Sequence, residues 1–209
     1  MSEAVTKATV SRTRVLDAAA RIFRDRGYSG TTMRAIGTEA KLKAGSIYYH
    51  FRSKDELIEA VLDLGITTLS NAVHAAIAAL PPSSSYRDRI GAAFKAHLFT
   101  IVELGDYTLA TRRVFGQVPR SVREKHIHKR DAYGRLWQHM LDAAQNAGEL
   151  RADADTTMAR LFIVGALNWT VEWFNPGGKP LEHVANEFAD LIFKGLEAQT
   201  DSRTASAAE

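Results

Sequence analysis

The chain has 209 residues, 45% hydrophobic and 24% charged, values of an ordinary globular protein with room for one sizeable domain or a small module joined to a larger one. It has no cysteine, which excludes disulfides, thiolate metal sites and cysteine nucleophiles and suits a reducing cytoplasm. The net charge of +3 is uneven: residues 1–60 hold 11 Lys and Arg against 7 Asp and Glu, the rest 16 against 17, so an anionic partner is expected at the first third.

Only helical periods appear along the chain. The opening MSEAVTKATVSRTR has no apolar core for a signal peptide, and residues 1–10 read as a disordered arm. Ser11 is expected to cap a first helix that runs to Gly27, with Val15, Leu16, Ala19, Ile22 and Phe23 as its buried stripe. Thr32 caps a short helix, MRAIGTEA, with Met33 and Ile36 inward. A third helix covers Ala44 to His50. Ser53 and Glu56 form the S-x-x-E signature of a fourth, which runs to about Leu80 and stops at Pro81-Pro82. Ile90, Phe94, Leu98 and Ile101 mark the next helix, and a short one lies around Leu109–Phe115 before Pro119. Tyr133, Leu136, Trp137, Met140 and Leu141 mark another. The segment from Asp155 to Phe174 is apolar nearly all round, which demands burial on more than one side. NPGGKP is a turn, and Val184, Phe188, Leu191, Ile192 and Leu196 stripe a last helix. Residues 200–209 read as a disordered tail.

Two short helices joined by a tight turn, behind a packing helix, form a helix-turn-helix arrangement. Its second helix presents Lys43, Ala44 and Ser46 to base edges: a cation, a methyl and a hydroxyl. Gly45 allows close backbone approach, and Tyr48, Tyr49 and His50 can donate to phosphate oxygens. Lys54 adds positive charge at a helix N-terminus, and Thr32 and Arg34 join the same candidate surface. Ile47 and Phe51 pack inward. His50 fits either a phosphate donor or a hydrogen-bonded structural histidine.

TTMRAIGTEAKLKAGSIYYHFRSKDELIEAVL resembles the DNA-binding domain of the TetR family of bacterial transcription regulators. Gly45, Ile47, Tyr48, His50, Phe51, Ser53, Lys54 and Leu57 match that family's motif. Gly37 departs from its usual alanine, and Lys41 from the frequent glycine of the turn, where a lysine needs an adjusted conformation. The resemblance implies an all-α protein: a helix-turn-helix three-helix DNA-binding domain over residues 11–55, and a helical ligand-binding and dimerisation domain over 56–199. It further implies a homodimer on double-stranded operator DNA and a small-molecule effector, with repression as the expected outcome. Two C-terminal apolar helices with spare hydrophobic faces suit a four-helix dimer interface.

Candidate effector contacts come from the inward stripes: Phe94, His97, Leu98, Ile101, Phe115, Tyr133, Trp137, Met140, Phe162, Ala166 and Trp169. Each alone reads as ordinary core; as a set, with His97 and Tyr133 as polar handles, they suit an apolar ligand. Arg112 is placed to meet an anionic group. Trp169, Trp173, Phe174, Pro176 and Gly177 resemble a turn of the branch that responds to acyl-CoA thioesters, in which they shape architecture. A drug, antibiotic or other aromatic effector is the alternative. No cofactor, catalytic residue or metal site is expected: there is no nucleophile elbow, Walker loop or zinc-ligand helix, and His126 and His128 fall on different faces of a helix. The broken basic helices also argue against a membrane surface as partner.

Overall fold

The computed structural model describes residues 7–196, the side chains of Lys7 and Ala44 excepted. Among the described residues every regular element is an α-helix: α1 Lys7–Arg26, α2 Met33–Glu39, α3 Ala44–His50, α4 Lys54–Ala78, α5 Tyr86–Glu103, α6 Gly105–Val114, α7 Arg120–Asn146, α8 Thr156–Trp173 and α9 Leu181–Leu196. The expected tail, residues 200–209, lies outside the described residues, as do residues 1–6 of the expected arm.

The start of α1 corrects the sequence reading. Ser11 is not its N-cap, because residues 7–10 are already helical. Ala8, Thr9 and Val10 include no breaker, and the Thr13 hydroxyl donates back to Thr9 O at 3.1 Å inside the helix. The Ser11 hydroxyl is engaged elsewhere, as described below. The other early caps form as expected. Thr32 Oγ1 accepts the Ala35 N–H at 3.2 Å, and Ser53 Oγ accepts the Glu56 N–H at 3.1 Å. The Glu56 carboxylate reaches back to the Arg52 N–H at 2.7 Å. α7 begins directly after Pro119, so the polar stretch from Arg120 is helical although its apolar spacing gave no sign of it.

The described residues form two compact units. The first comprises residues 7–71, 100–132 and 171–174. In it α1, α2, α3 and the start of α4 share one core with α6: Val15, Phe23, Ile36, Ile47, Phe51, Leu57, Ile58 and Leu62 together with Tyr107, Ala110 and Val114. The physical reason is size, since about 45 residues bury too small a fraction of their surface to make an ample core alone. Polar contacts tie the same elements together. Tyr107 Oη donates to Asp17 at 2.7 Å, Arg24 pairs with Asp106, and Gln117 Oε1 accepts the Tyr28 N–H at 3.0 Å. The expected domain boundary after residue 55 falls inside α4, and this unit extends well beyond it.

The second unit comprises residues 72–99, 133–170 and 175–196. Its interior holds Ile90, Phe94, Leu98, Trp137, Leu141, Ile163, Leu167, Val184 and Phe193. The Glu149 carboxylate accepts the first two backbone N–H groups of α5, from Tyr86 and Arg87, each at 3.0 Å.

Candidate nucleic-acid interface and ligand site

The turn between α2 and α3 decides where the candidate base-reading side chains point. α2 ends in a Schellman motif: the Leu42 N–H donates to Gly37 O at 3.0 Å and the Lys41 N–H to Thr38 O at 3.1 Å. The motif requires a left-handed residue after the cap, and Lys41 supplies it at φ +53°. Arg14 Nη2 donates to Ala40 O at 2.8 Å and holds the turn on α1. Gly37 is buried, and a Cβ there would stand 2.7 Å from Ile47 Cδ1. The α2–α3 approach thus depends on the missing side chain, which accounts for the departure from alanine.

With Ile47 and Phe51 buried beneath it, α3 turns its other faces outward. Lys43 and Gly45 are exposed, Ser46 is half-buried, and the space where a Gly45 Cβ would stand is open. Tyr48 is 56% exposed and Tyr49 79%. Thr32 and Arg34 are exposed at the start of α2. The Ala44 side chain lies outside the described residues.

Two candidates have structural partners that the sequence did not reveal. His50 Nε2 lies 3.0 Å from the Ser11 hydroxyl, a hydrogen bond between α3 and α1. Lys54 Nζ donates to Tyr28 O at 2.9 Å and Thr31 O at 3.1 Å, and sits 4.1 Å from the Tyr28 ring centroid. Lys54, expected to add positive charge at a helix N-terminus, also clamps the start of α4 onto the α1–α2 turn. Both partners belong to distant residues, so no local motif signals them. Burial and the Asp55 carboxylate push the Tyr28 phenol up to about 12.

The candidate effector residues divide. In the second unit Phe94, His97, Leu98, Tyr133, Trp137 and Met140 are buried. His97 Nδ1 and Tyr133 Oη are 2.8 Å apart, and the Phe94 ring meets Trp137 edge-on at 5.6 Å. Burial pushes the His97 imidazole down to about 4 and raises the Tyr133 phenol, so both are neutral at pH 7. Ala166 is half-buried. Phe162 and Trp169 do not belong with the inward set: they are 67% and 54% exposed. α8 buries Ile163, Leu167 and Thr170, which leaves Phe162 and Trp169 on its other side with Met158 and Leu161.

In the first unit Ile101 is buried, and Phe115 is half-buried between His126 and Arg130. Arg112, expected to face an anionic ligand, forms an ion pair with Glu172 at 3.0 Å. The sequence reading missed Asn168, whose side chain lies beside His97; a polar residue in a helix read as apolar all round was the available signal.

Comparison with known proteins agrees with this architecture. Residues 15–61 match the family described as bacterial regulatory proteins, tetR family, and residues 83–196 match the tetracyclin repressor-like C-terminal domain. The chain is 27% identical over 191 residues to the HTH-type transcriptional repressor KstR2 of Rhodococcus jostii (strain RHA1), covering 88% of this chain and 90% of that one. Its fold is that of the ketosteroid transcriptional regulator KstR2 of Mycobacterium tuberculosis, with a TM-score of 0.80, 22% identity and coverage of 90% and 95%. It is also that of AibR, solved in complex with isovaleryl coenzyme A and operator DNA, with a TM-score of 0.75, 19% identity and coverage of 91% and 100%.

Proposed function

Since this chain belongs to the TetR family, whose members are ligand-responsive DNA-binding regulators and not enzymes, we propose that α3 reads a palindromic operator in the major groove as part of a homodimeric repressor released by an acyl-CoA thioester. The observation that carries the DNA reading is the outward set Lys43, Ser46, Tyr48 and Tyr49 on a helix anchored by buried Ile47 and Phe51. Lys43 and Ser46 face base edges, and Tyr48 and Tyr49 donate to phosphates. The protein acts in the cytoplasm, where its operator is.

The effector reading is supported by the sequence pattern at 169–177, at the end of α8 and the turn after it, and by the buried aromatic cluster around Trp137, which suits an apolar acyl chain. The fold accommodates such a ligand in AibR. Effector binding favours a dimer geometry in which the two recognition helices no longer match half-sites about 34 Å apart, and operator affinity falls.

The test is operator selection followed by titration. Lys43→Ala is expected to change base preference at particular positions, and Tyr48→Phe to weaken all sequences alike. Long or branched acyl-CoAs should release the operator and free CoA should act weakly. Unchanged base preference in Lys43→Ala removes Lys43 from the readout. Release by an uncharged aromatic drug, with every acyl-CoA inert, replaces the effector and leaves the regulator.

A further inference from the structure

The cations of α1 are committed to the fold, with one exception. Arg14 donates to Ala40 O at 2.8 Å, Arg21 pairs with Glu39 at 2.8 Å, Arg24 pairs with Asp106, and Arg26 stands near Asp25. Arg12 is exposed and has neither a carboxylate nor a carbonyl partner among the described residues. In this it resembles Arg34, Lys41, Lys43 and Arg52, the exposed cations of the α2–α3 region, and differs from its neighbours on α1.

Helix period explains where Arg12 points. Leu16, Ala19 and Phe23 are buried, and Arg12, one turn before Leu16, continues their face of α1. What it meets there is Phe51, the buried residue at which α3 stops. The Arg12 guanidinium lies 5.0 Å from the Phe51 ring centroid. A second contact fixes the same juxtaposition: His50 Nε2 lies 3.0 Å from the Ser11 hydroxyl, and the Tyr49 ring meets His50 edge-on at 5.0 Å. Tyr49, His50, Ser11 and Arg12 thus form an unbroken path from the exposed side of α3 to α1.

We propose that Arg12 binds a phosphate of the DNA backbone beside Tyr49, so that α1 as well as α3 holds the duplex. An aromatic ring engages a guanidinium through its charge and leaves its N–H groups unbonded. Those N–H groups form a fork that matches two phosphate oxygens. A carboxylate partner would have filled the fork; the Phe51 ring positions it and leaves it open. The Ser11–His50 bond holds the two helices in register. The inference rests on the DNA reading above and extends it beyond the recognition helix.

The experiment is fluorescence anisotropy of the full-length protein on a labelled duplex of arbitrary sequence, about three helical turns long, over a series of potassium chloride concentrations. Each phosphate contact contributes about 0.9 to the slope of log K against log salt. Arg12→Ala is therefore expected to lower the slope of a dimer by about 1.8, and its affinity about 30-fold at ~0.15 M salt. Arg12→Lys should keep most of the slope and lose part of the affinity. Arg26→Ala removes the same charge about 21 Å farther along α1 and should leave the slope as in the wild type. Circular dichroism checks that the variants keep their helices. A loss of about 0.9 retains the contact with one protomer engaged. An unchanged slope in Arg12→Ala overturns the proposal while the DNA reading stands, and so does an equal loss in Arg26→Ala. Saturable binding of inorganic phosphate that Arg12→Ala abolishes, with the DNA slope unchanged, makes Arg12 a free-anion site and also overturns it. A wild-type protein that binds neither this duplex nor any selected sequence overturns the DNA reading itself, and this contact with it.

Discussion

Lys41 occupies a left-handed conformation because the Schellman ending of α2 demands one, and an L side chain there costs about 1 kcal/mol that glycine avoids. Lys41→Gly is therefore expected to raise stability by at most about 0.5 kcal/mol, net of the extra unfolded-state entropy of glycine. Urea unfolding checks it, and a midpoint no higher than wild type rejects the account. This strain was legible through the family resemblance, because Lys41 stands where that motif often has glycine. The partners of His50 and Lys54 were not, because Ser11, Tyr28 and Thr31 come close only in the folded chain. His126 is another hidden case. It is buried on α7, and burial first, then Arg130, pushes its imidazole down to about 4. In the unfolded chain it binds a proton near pH 6.5 and in the folded chain only near 4, so stability falls as pH drops through that window. His97 acts in the same direction. His126→Gln is expected to flatten the acid side of the stability profile by up to about 1.4 kcal/mol per pH unit. Denaturation between pH 7 and 4 measures it, and an unchanged slope shows that His126 is protonated in the fold.

At the scale of helices, α2 and α3 meet through a matched small and large pair. Ile47 Cδ1 occupies the place of a Gly37 Cβ, at 2.7 Å. Gly37→Ala gains about 1 kcal/mol of helix propensity and forces Ile47, fully enclosed, to move, at a cost of about 1–3 kcal/mol. Ile47→Val alone leaves a methyl-sized void and costs about 0.5–1.5 kcal/mol. The double variant removes the clash and fills the void. Its stability should exceed the sum of the single effects by at least about 1 kcal/mol, and strictly additive effects would show that the helices do not touch there. The order and type of these helices follow from their apolar spacing, which is why α2, α3 and the later helices lie where their stripes put them. The first half of α7 lacks such a stripe: from Arg120 to Asp131 only Val122 and His126 are buried. Its neighbours supply the rest, through Lys125 with Glu59 at 2.8 Å and Lys129 with Asp63 at 2.6 Å. Such pairing between distant charges leaves no periodic trace.

For the whole molecule, the exposed side of α8 argues for a second copy of the chain. Met158, Leu161, Phe162 and Trp169 recur at three-, four- and seven-residue steps, so they form one apolar stripe, with Leu191 also exposed on α9. The sequence showed that α8 is apolar all round; which side faces the chain's own interior could be read only from the fold, and Phe162 and Trp169 changed roles on that account. Full burial of a large apolar side chain is worth about 1.5–3 kcal/mol. Four or five of them yield about 6–15 kcal/mol, enough to offset the association cost of about 4–15 kcal/mol only if the stripe is covered nearly completely. A single charge in its centre should then be decisive. Phe162→Glu places an unpaired carboxylate in the contact and is expected to weaken the dimer at least about 100-fold, because a lone buried charge costs about 3–5 kcal/mol. Helix content should be unchanged, as Phe162 does not contribute to the interior of the monomer. Operator binding should fall with the dimer, since two recognition helices are needed for two half-sites. Sedimentation velocity at micromolar protein, beside a DNA shift assay, reads both effects. A Phe162→Glu chain that sediments as the wild-type dimer would move the interface off this face of α8, and a wild-type chain that sediments as a folded monomer would remove the dimer itself.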